Sequence, residues 1–297
     1  MNQSTSKVPD EYKNHVSPGT DWQEIVAWVG DLPPLPHVAS RAISMLEDPD
    51  VTAGELTNVL SSDTALAARV LKIANSAMFS RQRQITTLSQ AIMIVGFKTL
   101  KGVVVAATLR QLNKRFDNIE KMIWANSLCT AIAAHRISQH LKKHYVEEAF
   151  LLGLLHDLGK IVLVNHSTGE YKNVIELTKQ GTVFHAAEEE VLGFSHPLIG
   201  ALVAKKWNFS AQTCQVILHH HDPIEPPIHG EQEEKTAIIV AADCIAHVLG
   251  HGHLEGYPDF TDATYAAMAK ISIDQETAVL LVDDVSKLFG EQSSVFN

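Results

Sequence analysis

The chain has 297 residues, of which 45% are hydrophobic, and a mean hydropathy of +0.01, values typical of a soluble globular protein. This length is sufficient for one large or two medium domains with a sizeable core. The 24 basic and 34 acidic residues give a net charge of −10 with no basic stripe, which argues against nucleic-acid binding. A polar N-terminus and the lack of a long unbroken apolar run predict a cytoplasmic protein without a membrane span.

The cysteines and histidines point to a reducing compartment and to a metal site. The three cysteines are far apart and form no CxxC pair, so no disulfide framework is expected: Cys129, Cys214 and Cys244. All of the 16 histidines except His15 and His37 lie between residues 135 and 253. This concentration in one half of the chain favours a metal site there.

The first half of the chain has the pattern of a helical lobe over residues 21–116. Residues 1–20 are polar and are expected to form a disordered lead-in. N-cap residues and capping boxes predict helix starts in this lobe: Asp21 with Glu24, Thr52 with Glu55, and Asp63. The segment Lys101–Ala107 is rich in β-branched residues and could be a strand, but its helical neighbours favour a buried helix.

A second unit, residues 117–297, is predicted to be a helical core with C-terminal helices. The joint falls at Phe116-Asp117, and the following helix turns Asn126 inward. Residues 149–166 form an apolar stretch whose only polar island is His156, Asp157 and Lys160, so a buried helix is expected. The run 188–190 of three glutamates is predicted to be a solvated helix face. The chain is therefore predicted to be all-α and multi-helical, with the N-terminal lobe packed on this core.

A buried carboxylate such as Asp157 costs several kcal/mol unless it is paired, protonated or bound to a cation. Several polar residues share its setting in apolar helices: Asn126, His156, Asp157, His196, His219, His220, His221 and Asp243. Imidazole and carboxylate ligands suit divalent iron, manganese or zinc. On one helix, His156 and Asp157 would diverge by roughly 100°, so they would reach two sides of a site or two ions. Taken singly, His196 also fits a structural buried histidine, and the histidine triplet also fits a polar helix end.

Four segments resemble the HD superfamily of metal-dependent phosphohydrolases: FLLGLLHDLGK, HPLIGALVAKKW, HHHDP and the Ala242-Asp243 pair. The first half narrows this resemblance. LPPLPHVASRAISMLEDPDVTAGELTNVLSSDTALAARVLKIANSAMF and ITTLSQAIMIVGFKTLKGVVV are similar to the HDOD family, the HD-related output domain of bacterial signalling. The similarity runs from about Leu32 to about Leu249.

The resemblance implies one or two divalent ions bound by a specific set of residues: His156, Asp157, His196, His220, His221 and Asp243. It also implies catalytic roles for Asp157 and for Lys160, which matches a lysine that contacts phosphate. His219 is the member of the triplet least expected to be a ligand. Asn126 stands where catalytic relatives have a first histidine, and its amide oxygen is a poorer ligand, which implies a weaker first metal site. The sequence Gly256-Tyr257-Pro258 follows Asp243 rather than preceding it, so it is interpreted as an ordinary turn and not as the GYP motif of cyclic-dinucleotide phosphodiesterases.

Three functions fit this pattern. The chain could be a signalling output module that acts through a protein partner without turnover. It could instead be a metal-dependent phosphohydrolase acting on a nucleotide or another phosphoester, with Lys160 steadying the phosphate. A metal-stabilised scaffold without chemistry is the third hypothesis and is compatible with the first.

Overall fold

The protein is described from a computed structural model, which covers residues 8–32, 34–76, 84–112, 118–167, 169–255 and 258–296. In this part of the chain all regular secondary structure is helical, and the only β-type pairing is an isolated bridge between Val16 and Phe194. The predicted all-α fold is confirmed. The predicted joint at Phe116-Asp117 and the Gly256-Tyr257 pair lie outside the described residues, and the two-unit division stays a prediction.

A 3-10 helix, Asp10–His15, precedes the helices of the first half. These are α1 (Trp22–Asp31), α2 (His37–Met45), α3 (Ala53–Ser61), α4 (Thr64–Ala74), α5 (Leu88–Val95) and α6 (Phe97–Leu112). The second half contains α7 (Asn118–His140), α8 (Val146–Leu155), α9 (Leu158–His166), α10 (Tyr171–Lys179), α11 (Phe184–Leu192), α12 (His196–Lys206), α13 (Ala211–His219), α14 (Gly230–Val248), α15 (Thr261–Lys270) and α16 (Gln275–Phe296).

Helix capping in the first half follows the sequence. Thr52 and Glu55 form a reciprocal capping box at α3, and Asp63 caps α4 by accepting a hydrogen bond from the backbone N–H of Leu66. The β-branched segment of α6 is helical as predicted, and its valines are buried, which explains its lack of a polar face. The predicted disorder before residue 20 was wrong from residue 8 onward, because Tyr12 is buried and stacks on Trp22 with ring centroids 5.2 Å apart.

Helix α7 is at the centre of the second half, where it packs against α8, α14 and α16, while α12 packs against α9 and α13. Two glycines permit the closest helix approaches. A Cβ on Gly153 would lie 2.5 Å from Ala131 Cα, and one on Gly159 would lie 2.0 Å from the carbonyl oxygen of His196. These contacts draw α7, α8, α9 and α12 together around the predicted ligands.

Within the described residues, the stretch Val146–His166 is long and apolar enough to cross a membrane by length and composition. No stretch of this kind was expected from the sequence. However, 83% of its apolar window is buried inside the fold, as in the core helix of a soluble protein. Its apolar character is therefore accounted for by packing against the neighbouring helices.

Candidate metal centre

His156 and Asp157 lie at a break between α8 and α9, and not within one continuous helix as the sequence predicted. His156 keeps helical dihedral angles, whereas Asp157, at φ −97° and ψ 16°, leaves the helix. Both side chains therefore turn inward and are buried, with His156 Nε2 only 3.5 Å from Asp157 Oδ2. Adjacent residues that would diverge on a regular helix serve one site here.

Three histidines, one from α12 and two that directly follow α13, lie near the carboxylate of Asp157. His196 Nε2 lies 3.1 Å from Asp157 Oδ1, and His220 Nε2 lies 3.7 Å from it. His196 Nε2 is also 3.1 Å from His221 Nε2. The ligand atoms of these four residues all lie within 4.8 Å of one another. An ion with bonds of about 2.0–2.2 Å fits between atoms so spaced.

Hydrogen bonds orient the imidazoles of this cluster. The Nδ1 atoms of His156, His196 and His220 lie 2.7, 2.6 and 2.7 Å from an oxygen of Gly153, Glu188 and Ile217, respectively. Because these oxygens accept, each Nδ1 carries a hydrogen, and whenever the imidazole is neutral its Nε2 presents a lone pair to the cluster. Bonding the second ring nitrogen to an oxygen is how metal-binding histidines are usually fixed.

Two atoms in the cluster have no hydrogen-bond partner although both are fully buried. These are His156 Nε2 and Asp157 Oδ1. An unpaired buried carboxylate oxygen facing imidazole lone pairs is unfavourable without a positive charge nearby. The donor set of one carboxylate and several imidazoles therefore fits a divalent metal ion.

Asp243 of α14 and Asn126 of α7 form the other side of the centre. Asp243 Oδ1 is 3.4 Å from His156 Nε2 and accepts a hydrogen bond of 2.9 Å from Asn126 Nδ2. Since a carboxylate only accepts, the amide atom beside it is the nitrogen, which cannot bind a metal. Asn126 thus points inward as predicted, but as a hydrogen-bond donor to Asp243.

Lys160 lies inside this centre rather than beside an open phosphate site. Its side chain is 3% exposed, and its ammonium donates a 2.8 Å hydrogen bond to Asp157 Oδ2. The same ammonium lies 5.0 Å from the ring centroid of Phe184. The two oxygens of Asp157 therefore have different neighbours: Oδ1 faces His196 and His220, and Oδ2 faces Lys160 and His156.

The charges of the buried groups follow from the same contacts. Burial opposes a charge on His156, but Asp157 and Asp243 outweigh it and raise the pKa of His156. Burial works against the carboxylate of Asp157 too, yet His156 and Lys160 hold its pKa well below the usual value. Burial lowers the pKa of His220 to about 4, and burial also holds the pKa of His221 well below its usual value. His220 and His221 are therefore neutral at pH 7, the form that binds metals.

Glu188 was predicted to be solvated, and this was wrong. Its side chain is 0% exposed and accepts hydrogen bonds from the backbone N–H of His196 at 2.7 Å and from the hydroxyl of Tyr171 at 2.7 Å, besides facing His196 Nδ1. It shares one buried helix face with Phe184 and Ala187. That i, i+3, i+4 spacing was the sequence signal that distinguishes Glu188 from the two glutamates after it.

Two further histidines were missed. The ring of His185 stacks on His221 with centroids 4.5 Å apart, and His247 Nε2 lies 3.6 Å from Asp243 Oδ2. His247 follows Asp243 by four residues on α14, a spacing that places both on one face. His185 has no comparable signal, because its partner is 36 positions away in the chain.

Comparison with known proteins identifies the family. The model of the HDOD domain matches residues 32–223, close to two thirds of the chain. The chain belongs to the HDOD family. The resemblance inferred from the sequence motifs is thereby confirmed.

Solved structures agree with this assignment. An HDOD domain protein of unknown function from Geobacter sulfurreducens is 24% identical, with a TM-score of 0.76 over 92% of this chain and 98% of that one. A candidate phosphohydrolase from Shewanella amazonensis is also 24% identical, with a TM-score of 0.72 over 92% and 96%. At 24% sequence identity, these similarities establish the fold of this chain. An uncharacterized protein of Treponema pallidum is 24% identical over 216 residues, which are 72% of this chain but only 41% of that protein.

The neutral histidines predict an acid-sensitive fold. Burial lowers the pKa of His185 and of His220 to about 4, against 6.5 in the unfolded chain. Between these values the unfolded chain binds more protons, so the free energy of unfolding must fall as the pH is lowered from 6.5 towards 4.5, on the order of 2 kcal/mol for each histidine. The lowered pKa values of the buried carboxylates act only below this window. Urea unfolding of chelator-treated protein at several pH values measures the effect.

Two variants serve as controls for the pH dependence. His185→Gln should flatten part of the slope, whereas His144→Gln should leave it unchanged, because His144 is exposed on the surface. A free energy of unfolding that is constant from pH 6.5 to 4.5 would contradict the assignment of neutral buried histidines.

Proposed function

We propose that this HDOD protein is a signalling module that holds one divalent metal ion and acts through a protein partner without phosphoester turnover. This proposal is supported by the metal-binding atoms of the centre, which fall into two groups. On one side, Asp157 Oδ1 and the Nε2 atoms of three histidines converge. On the other side, Asp157 Oδ2 and Asp243 Oδ1 already accept hydrogen bonds from Lys160 and Asn126.

The ion would be held by Asp157, His196, His220 and His221. A divalent metal supplies Lewis-acid chemistry when it is bound, but its main effect expected here is on folding, since binding to the native site alone stabilises the native state. Glu188 holds His196 in position, and Lys160 compensates the remaining charge of Asp157. The four donors come from three separate segments, so one ion would tie α9, α12 and the end of α13 together.

Two features argue against turnover. Hydrolysis by a pair of ions uses a bridging carboxylate and ligands for both metals. At the first metal site, however, Asn126 presents an amide nitrogen, which is not a metal ligand. Three of the four proposed ligands are also buried, with Asp157, His196 and His220 each at most 2% exposed, whereas His221 is half-buried. A phosphoester would need the centre to open before it could reach Asp157.

A phosphohydrolase is the second candidate, and one observation favours it. All six predicted ligands lie in one centre, and Lys160 lies beside Asp157. In this alternative the ammonium of Lys160 would leave Asp157 and pair with the phosphate of a nucleotide or other phosphoester. Asp157 would then orient the attacking water.

Metal analysis of the purified protein tests the proposal together with a phosphoester screen. After reconstitution with iron, manganese or zinc, the central site should hold one ion per chain, lost in His196→Gln, and the screen should detect no turnover. Hydrolysis that disappears in Asp157→Asn would overturn the proposal in favour of the second candidate. A central site that takes up no ion would overturn both.

The substitution Asn126→Asp tests the first metal site without changing the size of the side chain. Two carboxylates would then face each other across about the 2.9 Å that now separates Asn126 Nδ2 from Asp243 Oδ1, so they must share a proton or bind a cation. We expect lower stability in chelator and an additional ion per chain in excess manganese. Asn173→Asp, on the exposed face of α10, is the matched control. Unchanged metal content in Asn126→Asp would show that the amide is not what closes the first position.

A further inference from the structure

A second cluster of ligand-type side chains lies outside the centre, where the N-terminal segment meets the turn after α13. It consists of His15, His219 and Asp222, whose ligand atoms lie within 4.8 Å of one another. His15 ends the 3-10 helix and is 6% exposed, whereas the side chains of His219 and Asp222 are 36% and 45% exposed. His219 and Asp222 directly flank the pair of histidines that enters the centre.

The contacts of His219 fit a metal-binding histidine when its imidazole is neutral. Its Nε2 lies 2.9 Å from Gln215 Oε1, and its Nδ1 lies 2.7 Å from Asp222 Oδ2. Both neighbours are acceptors, while a neutral imidazole has only one N–H. If Nε2 donates to Gln215, the lone pair of Nδ1 faces a carboxylate, an arrangement that a bound ion would stabilise. A carbonyl oxygen on the second ring nitrogen is also the usual support of a metal-binding histidine.

His15 completes the set from a distant part of the chain. Its Nε2 lies 3.9 Å from Asp222 Oδ2, too far for a hydrogen bond. Two metal–ligand bonds of about 2.0–2.1 Å can span this gap. The rings of His15 and His219 lie edge to face with centroids 5.4 Å apart, so both can reach one point beside Asp222.

We propose that His15, His219 and Asp222 form a peripheral divalent-metal site of the zinc type, separate from the central site. Two imidazoles and one carboxylate leave a fourth position, which the exposure of Asp222 and His219 opens to water. The site attaches the N-terminal segment to the turn that carries His220 and His221. Occupation of the outer site therefore restrains the position of two central ligands, which couples the two sites energetically.

Zinc binding to four proteins, measured by equilibrium dialysis and elemental analysis, tests this proposal. Wild type should bind one zinc more per chain than His15→Gln. His196→Gln, which disables the centre, should keep the outer ion, so failure of the central site and failure of the outer site are distinguishable. His144→Gln, another histidine near a carboxylate, should bind as wild type does. Cobalt in place of zinc should give a ligand-field absorption in His196→Gln that the double variant with His15→Gln lacks.

Asp222→Asn is the second variant for the outer site, because its half-exposed side chain can be replaced without opening the core. It should weaken zinc binding to the His196→Gln protein at least tenfold. Equal zinc content in wild type, His15→Gln and Asp222→Asn would overturn the proposal. So would ring nitrogen signals of His219 that do not respond to zinc in an NMR spectrum of His196→Gln.

Discussion

Replacing Asp157 with alanine is expected to abolish metal binding at the centre and to lower the free energy of unfolding by about 3–5 kcal/mol, the usual result of removing one partner from a buried ion pair. The substitution takes away the carboxylate that faces His196 and His220 through Oδ1 and accepts from Lys160 through Oδ2. The ammonium of Lys160 would remain buried without that partner. Metal analysis and chemical unfolding of the two proteins measure both effects.

The matched control for this substitution is Asp283→Ala. Asp283 also pairs with a lysine on one helix, Lys287, but both side chains are more than half exposed. Its loss should cost well under 1 kcal/mol and leave the metal content unchanged. If Asp157→Ala melts as wild type does and keeps its metal, the carboxylate does not organise the centre.

Gly159→Ala is expected to have a comparably large effect for a steric reason. The added Cβ would lie 2.0 Å from the carbonyl oxygen of His196 and 2.8 Å from the backbone nitrogen of Gly200. Both atoms belong to backbone, so relief requires α9 and α12 to separate, which moves Asp157 away from His196. We expect a loss of at least about 3 kcal/mol in unfolding free energy, together with weaker metal binding.

Gly290→Ala provides the comparison, since a Cβ there meets nothing within 4 Å on α16. Alanine should stabilise that helix by about 0.5–1 kcal/mol. Chemical unfolding of both variants, with metal analysis of Gly159→Ala, is the measurement. A Gly159→Ala protein of unchanged stability and metal content would mean that α9 and α12 do not touch as described.

Local features of the fold and the candidate ligands were predictable because their signals are local. The capping box of Thr52 with Glu55 and the cap at Asp63 involve residues three positions apart, and the structure contains both. The charged residues Asp157 and Lys160 stand in an apolar stretch, and that local contrast is enough to indicate a buried site. The helix of Lys101–Ala107 also followed from its neighbours rather than from its own β-branched residues.

An all-α HDOD fold could be inferred from the sequence alone, and so could six candidate ligands that the structure brings into one centre: His156, Asp157, His196, His220, His221 and Asp243. Which of their atoms are free to bind a metal ion depends on contacts between distant parts of the chain. Asn126 donates a hydrogen bond to Asp243, which is 117 positions away in the chain. His15 lies 3.9 Å from Asp222, although 207 positions separate them. Glu188 was predicted to lie on the surface, but it is a buried partner of His196 because α11 packs on α12. Such pairings depend on helix packing, which local periodicity and spacing do not encode.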